Sequence, residues 1–343
     1  MKLLGGLSPR TFLRRHWQKR PLLVRGALPG FAGVVEKNRL LALARRDDAE
    51  SRVVKRRGGR WDTAHGPFGG EITLGRNSTL LVSGVNLHLP AADALLRRFE
   101  FVPQARLDDL MVSYATPGGG VGPHVDSYDV FLLQGPGRRQ WRVWFDGRIL
   151  NYVLHPGDML YLPPGLKHDG VALDACFTYS IGFRTPRGAE LGAAFLDWLH
   201  ERGLPDDRYR DPGLLPARNG ARVPEGLIDH SKKTLDRIRW SRRDVEKFVG
   251  EYLTAPKPHV VFKPGKGQRP LARSKVVLDP KTQLLYSGSR FFINGDSLLL
   301  SGRKANSLKR LADQRSGPGT ALAALAPLIS EWHRAGYLHL EKP

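Results

Sequence analysis

The sequence has a single cysteine, Cys176, among its 343 residues. One thiol excludes an internal disulfide and is typical of proteins that work in a reducing compartment. The longest apolar runs are far shorter than the roughly 20 residues that a membrane-spanning helix requires. The opening segment, MKLLGGLSPR, has too short an apolar stretch for a secretory signal peptide. We therefore expect a cytoplasmic protein without a membrane-spanning segment.

Acidic residues are scarce relative to basic ones, with 33 Asp and Glu against 54 Lys and Arg and a net charge of +21. The excess lies in two parts of the chain, because residues 1–100 carry +11 and residues 201–343 carry +12, whereas residues 101–200 carry −2. Basic flanks of this kind predict contact with a polyanion such as RNA. Arginines spread over solvated surfaces would give the same totals, so both interpretations stay open.

The hydrophobic pattern changes along the chain. Residues 1–60 are typical of short helices and basic loops. Residues 72–185 contain short apolar runs separated by Gly and Pro, which predict antiparallel strands of a barrel or sandwich. The pattern turns helical from GAELGAAFLDWLHERG to about residue 255. A linker then precedes a last segment that mixes a hairpin with helices, and no internal repeat is visible.

A histidine and an aspartate, His124 and Asp126, lie two positions apart in the stretch GGGVGPHVDSYD. Residues i and i+2 of a strand point to the same face, so both side chains can reach one metal ion from one side. The pair alone is equally compatible with a surface or core hydrogen bond.

A third ligand candidate strengthens the metal interpretation. His168 ends the spacing G-x5-P-x-G-x2-H from Gly157, and the upstream pair ends G-x5-H-x-D from Gly118. These spacings are similar to the paired metal-binding motifs of cupin barrels. Two histidines and one carboxylate leave positions open for non-haem Fe(II) and oxygen chemistry, whereas a structural zinc is usually closed by a fourth side chain. His155 is an alternative third ligand but lies outside the pattern.

Arg139 follows a Gly-Pro-Gly turn thirteen residues after Asp126. An open Fe(II) site needs a co-substrate such as 2-oxoglutarate, whose distal carboxylate fits the planar guanidinium of an arginine. One unbroken strand would place Arg139 too far from the metal, so the chain is expected to bend at SYD and to reverse at GPGR. Arg138 is an adjacent alternative, whereas Arg142 is expected to face the opposite side. A solvated hairpin arginine is the alternative interpretation, and the three metal-ligand candidates favour the carboxylate clamp over it.

The runs DDLMVSYATPGGGVGPHVDSYDVFLLQGPGRRQWRV, LHPGDMLYLPPGLKHDG and YSIGFRTP, together with FLRRHWQKRPLLVRGAL and HGPF, resemble the bacterial ribosomal oxygenases. These are JmjC-type, 2-oxoglutarate-dependent arginine hydroxylases that act on the large-subunit ribosomal protein L16. The resemblance covers essentially the whole chain and is most specific over residues 101–186.

The resemblance implies a mainly β plus α architecture with three domains. A JmjC/cupin double-stranded β-helix barrel is expected over residues 1–188, with its catalytic core at about 72–186. A helical dimerisation domain over 189–255 and a winged-helix-like α+β domain over 256–343 follow, and a homodimer is expected.

The resemblance also implies roles for individual residues. His124, Asp126 and His168 match the Fe(II) ligands, and Arg139 matches the residue that holds 2-oxoglutarate. Four further residues lie on strands that line the pocket in this family, and which of them turn inward stays open: Ser113, Tyr114, Thr178 and Ser180. Since a guanidinium substrate favours a carboxylate near the mouth, Asp129 is a candidate for substrate binding.

The sequence departs from the family in one segment. Between the WRV strand, which begins at Trp141, and the PGD turn, which begins at Pro156, it has only WFDGRILNYVL, whereas the family carries a longer insert. This leaves the three metal ligands intact but puts in doubt any substrate or dimer contact that the insert makes.

The reaction implied is hydroxylation of an arginine β-carbon with O2 and 2-oxoglutarate as co-substrates, and it needs no general base. Three alternatives stay open. The first is a histidine hydroxylase or lysine demethylase of the same superfamily. The second is a non-catalytic cupin that binds RNA or protein. The third is a sugar-isomerase-like cupin that uses another metal.

Overall fold

The computed structural model describes residues 2–266 and 273–341. The described part begins with a β-rich region of twelve strands. In chain order these are β1 (Leu22–Val24), β2 (Ser51–Arg57), β3 (Arg60–His65), β4 (Ser78–Val82), β5 (Leu107–Ala115), β6 (His124–Val125), β7 (Val130–Gln134), β8 (Arg139–Phe145), β9 (Arg148–Leu154), β10 (Met159–Leu162), β11 (Lys167–Ala172) and β12 (Cys176–Phe183).

These strands form two antiparallel sheets. The large sheet has the order β1-β10-β7-β12-β5-β4-β2-β3, and the small sheet has the order β6-β11-β8-β9. A cavity of about 570 Å³ is lined by side chains from both sheets, including Ser180 of the large sheet and His168 of the small one. The two sheets therefore enclose one central pocket, as in a cupin barrel.

The other face of the large sheet is covered by helices, the first of which carries the aromatic side chain of Phe12. The helices are α1 (Pro9–Arg15), α2 (Lys37–Leu43) and α3 (Pro90–Arg97). Ser8 caps α1, because its hydroxyl accepts a hydrogen bond from Thr11 N at 3.1 Å. The ring of Phe12 packs against Phe131 and Tyr161 at centroid distances of 5.4 and 5.0 Å. Each such buried side chain contributes about 1.5–3 kcal/mol.

The short apolar runs of residues 72–185, which predicted antiparallel strands, form strands β4, β5, β7, β8, β10 and β12. The prediction for residues 1–60 was incomplete, because this part also contains β1, β2 and the start of β3. The β2–β3 hairpin is rich in charged residues, which obscures its strand pattern. Its turn is Gly58-Gly59, and both glycines have positive φ, as a two-residue hairpin turn requires.

The segment between Trp141 and Pro156 forms a direct hairpin. Strands β8 and β9 pair from Arg139↔Leu154 to Phe145↔Arg148, and only Asp146 and Gly147 connect them. Both connecting residues have positive φ, which fits the tight turn. The short segment therefore pairs along its full length, and β9 is an edge strand of the small sheet.

Three helices follow the barrel: α4 (Gly188–His200), α5 (Glu225–Leu235) and α6 (Arg242–Thr254). The C-terminal part contains α7 (Gly302–Gln314) and α8 (Ala326–Ala335). They are accompanied by strands β13 (Lys275–Leu278), β14 (Leu284–Ser287), β15 (Arg290–Ile293), β16 (Asp296–Leu299), β17 (Ser316–Pro318) and β18 (Leu338–Glu341). These strands form two three-stranded sheets with the orders β17-β13-β18 and β14-β15-β16.

Helix α6 contacts both neighbours. Phe248 lies 5.1 Å from Phe195 of α4, while Gly250 lies directly against the ring of Phe292 on β15. The predicted division at residues 255 and 256 therefore falls at the end of a helix that also packs on the C-terminal sheet. Within the described residues, no helix combines the length and the apolar character that crossing a membrane demands.

Candidate metal centre and co-substrate pocket

Strand pairing brings the two candidate histidines together. β6 pairs with β11 so that His124 lies directly opposite His168, and their ring centroids are 4.2 Å apart. Asp126 follows β6, and its carboxylate oxygens lie 3.9 Å from Nε2 of His124 and 3.6 Å from Nε2 of His168. One potential ligand atom from each residue lies within 4.8 Å of the others. The three side chains can therefore coordinate a single ion.

Backbone carbonyls orient both imidazoles. Nδ1 of His124 lies 2.8 Å from Gly122 O, and Nδ1 of His168 lies 2.9 Å from Leu166 O. Since a carbonyl oxygen only accepts, each Nδ1 carries the proton and each Nε2 presents its lone pair. Burial also lowers the pKa of His168, which favours the neutral, ligating form. This donor set fits a divalent metal with positions left open.

A glycine inside the first motif, Gly122, permits close approach of the loop that carries the first histidine. Gly122 has φ of +83°, and a Cβ there would lie 2.7 Å from Nε1 of Trp61 on β3. Farther along, Gly165 N donates to Asp126 O at 2.8 Å. The two motifs are therefore joined by backbone contact as well as through their metal-ligand side chains.

Arg139 lies on the same face of the small sheet as His168. In the pairing of β8 with β11, Val143 is opposite His168, Trp141 is opposite Gly170, and Arg139 is opposite Ala172. Because directly paired residues point to one face, these side chains form one row. The Trp141 ring lies 5.7 Å from the guanidinium carbon of Arg139 and 5.9 Å from the His168 ring. The chain reaches this position by leaving the small sheet for β7 and returning, as the predicted bend and reversal require.

The guanidinium of Arg139 is buried without a carboxylate partner among the described residues. Arg139 is 5% exposed, and its Nε and Nη2 have no hydrogen-bond partner within the described chain. The hydroxyls of Thr79 and Thr178 are also buried and, within the same residues, unpartnered. A buried cation without compensation is costly. The pocket therefore fits an anionic ligand, and the distal carboxylate of 2-oxoglutarate matches this chemistry.

The predicted pocket residues fall into two groups. Ser113 and Ser180 line the cavity. Thr178 is two residues from Ser180 and therefore shares its face. Tyr114 lies on the opposite face, where its ring is 5.0 Å from that of Phe177 and 5.1 Å from Nζ of Lys37. This placement does not support the predicted co-substrate contact of Tyr114, because adjacent strand residues point to opposite faces.

The prediction that Asp129 binds substrate is corrected by its placement. Asp129 is fully buried away from the cavity mouth. Its carboxylate accepts hydrogen bonds from the Tyr161 hydroxyl at 2.6 Å and from Nε2 of Gln18 at 3.0 Å, and Arg106 lies 3.7 Å away. These partners hold the N-terminal segment on the barrel, so Asp129 has a structural role.

The alternative residues lie apart from the site. His155 is outside the only cluster of potential metal ligands found among the described residues. Arg138 pairs with Asp174 at 2.8 Å on the surface. Arg142 pairs with Asp169 at 2.5 Å and is half exposed. Arg142 does face away from Arg139, as its odd spacing predicts.

One wall of the cavity is acidic and was missed by the sequence analysis; Glu50, Asp108 and Asp109 form this acidic wall. Gly84 N donates to Asp109 at 2.7 Å. Burial, reinforced by repulsion from Asp108, raises the pKa of Asp109 to about 6. The Asp-Asp pair at the start of β5 is a visible sequence signal. Lys257, which lies 3.1 Å from Asp108, offers no such signal because it comes from beyond the helical region.

Two protein families match the chain. The JmjC domain family matches residues 94–148 and 145–191, and the ROXA-like winged helix family matches residues 237–339. The second match begins before α6. The winged-helix family thus includes a helix that the predicted boundaries assign to the helical domain.

The chain is similar to two curated proteins and to a solved structure, and two of these three relatives cover nearly all of it. The ribosomal protein uL16 3-hydroxylase of Escherichia coli is 34% identical over 91% of this chain and 89% of its own. A probable ribosomal oxygenase of Haemophilus influenzae is 36% identical over 54% of this chain and 52% of its own. The structure of YcfD, a ribosomal oxygenase from Escherichia coli, in complex with cobalt and 2-oxoglutarate aligns with a TM-score of 0.80. It is 32% identical and covers 98% of this chain and 99% of that chain. This chain therefore belongs to the ribosomal oxygenases, which are 2-oxoglutarate-dependent hydroxylases with a JmjC domain.

Proposed function

We propose that this protein is an Fe(II)- and 2-oxoglutarate-dependent hydroxylase that modifies the β-carbon of an arginine in a ribosomal protein of the L16 type. The observation that carries the proposal is the row on the small sheet that joins His168 to the buried, unpartnered Arg139. A metal-binding triad alone is compatible with many cupins. A buried guanidinium on the same cavity wall adds a specific receptor for a dicarboxylate.

His124, Asp126 and His168 would hold the metal, and Arg139 would hold the distal carboxylate of the co-substrate. With Fe(II) bound, 2-oxoglutarate and O2 supply an oxidant able to hydroxylate an unactivated carbon, with succinate and CO2 as co-products. The protein's own contribution is positioning: two carbonyls fix the imidazoles, and Trp141 fills the space between His168 and Arg139.

The acidic wall favours the binding of a cationic substrate side chain. Asp108 and Asp109 are adjacent in this wall, and Tyr128 lies beside them. With a pKa of about 6, Asp109 is largely ionised at pH 7.5. Carboxylates bind the planar fork of a guanidinium through paired hydrogen bonds. This favours arginine over a neutral histidine as the hydroxylated residue.

The choice of ribosomal protein rests on the similarity to the Escherichia coli uL16 3-hydroxylase. Mass spectrometry of ribosomal proteins from cells with and without this gene tests it. We expect the mass of one oxygen atom on one L16 arginine, only when the gene is present. A modified histidine on another protein, or loss of a methyl group from lysine, would favour the alternative activities.

The basic flanks support contact with ribosomal RNA beside the active site. In the β2–β3 hairpin, Arg52, Thr63 and His65 line the cavity, and the tip carries further cations at Lys55, Arg56, Arg57 and Arg60. RNA binding through such residues weakens as salt rises. Hydroxylation of an L16–rRNA fragment complex should therefore fall steeply with salt, and an indifferent rate would contradict RNA contact.

Exposed apolar side chains support a homodimer formed through the helical region. Residues on and beside α4 and α5 are 48–64% exposed, namely Leu196, Ile228, Leu235 and Trp240. Surfaces of this kind are typical of protein–protein contacts. Light scattering should give twice the chain mass for the wild type and the chain mass for Ile228→Glu. A wild-type monomer would contradict the proposal.

The expected compartment is the cytoplasm, where ribosomal proteins are available.

A further inference from the structure

Lys257 lies where a substrate cation is expected to bind. It follows α6 between Pro256 and Pro258, and its side chain lines the cavity together with Asp108 and Asp109. Nζ lies 3.1 Å from Oδ1 of Asp108, and the side chain remains 41% exposed. Burial acts to lower the pKa of Lys257, but attraction to Asp109 and Asp108 together with the hydrogen bond to Asp108 outweighs it, so the pKa is raised and the ammonium is charged at neutral pH.

Asp108 does not need Lys257 as a structural partner. Nε of Arg184 lies 3.3 Å from the same Oδ1 atom. Arg184 is itself anchored, since its Nη1 donates to Leu253 O at 2.5 Å. Of the two cations on Asp108, Arg184 is the fixed one and Lys257 is the one on a flexible, half-exposed stem.

The charged side chains around Lys257 nearly balance one another, so the acidic wall attracts a second cation only weakly while Lys257 is in place. Three carboxylates, those of Glu50, Asp108 and Asp109, line a small pocket that adjoins the cavity, together with three cations, Lys257, Arg184 and Lys281. Moving the ammonium into solvent would restore one net negative charge to the wall. A guanidinium that enters the cavity and the ammonium of Lys257 therefore exclude each other by charge.

We propose that Lys257 is a specificity-determining residue that occupies the acidic wall of the substrate-free cavity and is displaced by the cationic side chain of the substrate. This inference rests on the proposed function, because it takes an arginine as that side chain. A tethered competitor lowers the affinity for substrate and for hydroxylated product alike, since both carry the guanidinium. Lys257 thereby aids product release at the expense of a higher KM.

The test compares peptide binding to wild type and Lys257→Met in the iron- and 2-oxoglutarate-loaded enzyme without oxygen, by fluorescence anisotropy. The probes are an L16 peptide with the target arginine and the same peptide with citrulline, its neutral analogue. We expect Lys257→Met to bind the arginine peptide about two- to fivefold more tightly and the citrulline peptide unchanged. In turnover the KM for the peptide should fall by the same factor, whereas the KM for the co-substrate should stay unchanged.

Two variants control for charge and structure. Lys257→Arg retains the cation and should bind like the wild type. Lys247→Met removes the same charge from α6 outside the cavity, where Lys247 pairs with Glu251, and should leave binding unchanged. A preference of the wild type for arginine combined with unchanged or weaker binding by Lys257→Met would overturn the inference alone. Equal binding of both peptides by the wild type would overturn the proposed substrate and the inference with it.

Discussion

Arg139 and His168 project from neighbouring strands onto one face of the small sheet, with the ring of Trp141 between them. The cross-strand partner of Arg139 is Ala172, four residues beyond His168 on β11. Four strand residues span about 13 Å between Cα atoms. Since both side chains reach toward each other over Trp141, this separation suits a small dicarboxylate held at one end by a metal and at the other by a guanidinium.

Loss of the Arg139 guanidinium should weaken co-substrate binding. Truncating one partner of a buried charge pair costs about 2–5 kcal/mol, which corresponds to at least about 30-fold in KM for 2-oxoglutarate. We expect this increase in Arg139→Met, measured by succinate formation. Arg138→Met is the matched control, because Arg138 is exposed and paired with Asp174. Equal effects in both variants would contradict the assigned role.

Removal of the metal should abolish turnover and lower thermal stability. A ligand that binds only the folded state stabilises it by mass action. We expect Fe(II) or Co(II) to raise the melting temperature of chelator-treated wild type and to have no effect on a His124→Ala, His168→Ala double variant. Succinate formation that persists in the double variant when Fe(II) is supplied would show that the triad is not the metal centre.

Substrate affinity should depend on pH through Asp109. Its pKa of about 6 implies that the carboxylate is neutralised as pH falls from 7.5 to 5. The KM for the arginine peptide should therefore rise over this range, and Asp109→Asn should show a high KM without the pH dependence. An unchanged pH profile in Asp109→Asn would contradict the assignment.

The same carboxyl should affect stability with the opposite trend. Its folded pKa lies above the ordinary value of 3.8, so the folded state binds more protons than the unfolded state between pH 4 and 6. Asp109 therefore disfavours folding above about pH 6, and this penalty fades as pH falls to about 4. Urea unfolding should show Asp109→Asn to be more stable than wild type at pH 8, with the difference disappearing near pH 4. A less stable variant at pH 8 would contradict this account.

The absence of a side chain at Gly170 should be required for the observed position of the Trp141 ring. A Cβ at Gly170 would lie 2.7 Å from the Trp141 ring. We expect Gly170→Ala to shift the ring and to raise the KM for 2-oxoglutarate, with a loss of stability of about 1–3 kcal/mol from overpacking. Gly69→Ala, where a Cβ meets no atom of the described structure within 4 Å, serves as the control. An unchanged KM for 2-oxoglutarate in Gly170→Ala would contradict a role of Trp141 in shaping the co-substrate pocket.

Much of the metal site was predictable from the sequence because glycine and proline spacing encodes the turns at the barrel mouth. The two histidine motifs and the Gly-Pro-Gly reversal before Arg139 are local features. Which strand residues face the cavity was harder to predict. Ser113 and Tyr114 are adjacent, so only one of them can face the cavity, and which one does so depends on packing against the helices. The position of Lys257 in the cavity could not be predicted from the sequence, because only the tertiary structure brings this residue to Asp108.

The most direct measurement is a reconstituted reaction of the purified protein with L16, Fe(II), 2-oxoglutarate and O2, in which succinate and modified peptides are quantified by mass spectrometry. The account predicts one oxygen atom on the β-carbon of one arginine, in equal amount to succinate, and both products reduced at least about 30-fold in Arg139→Met at limiting 2-oxoglutarate. Succinate without modified arginine, or L16 left unmodified by active enzyme, would contradict it.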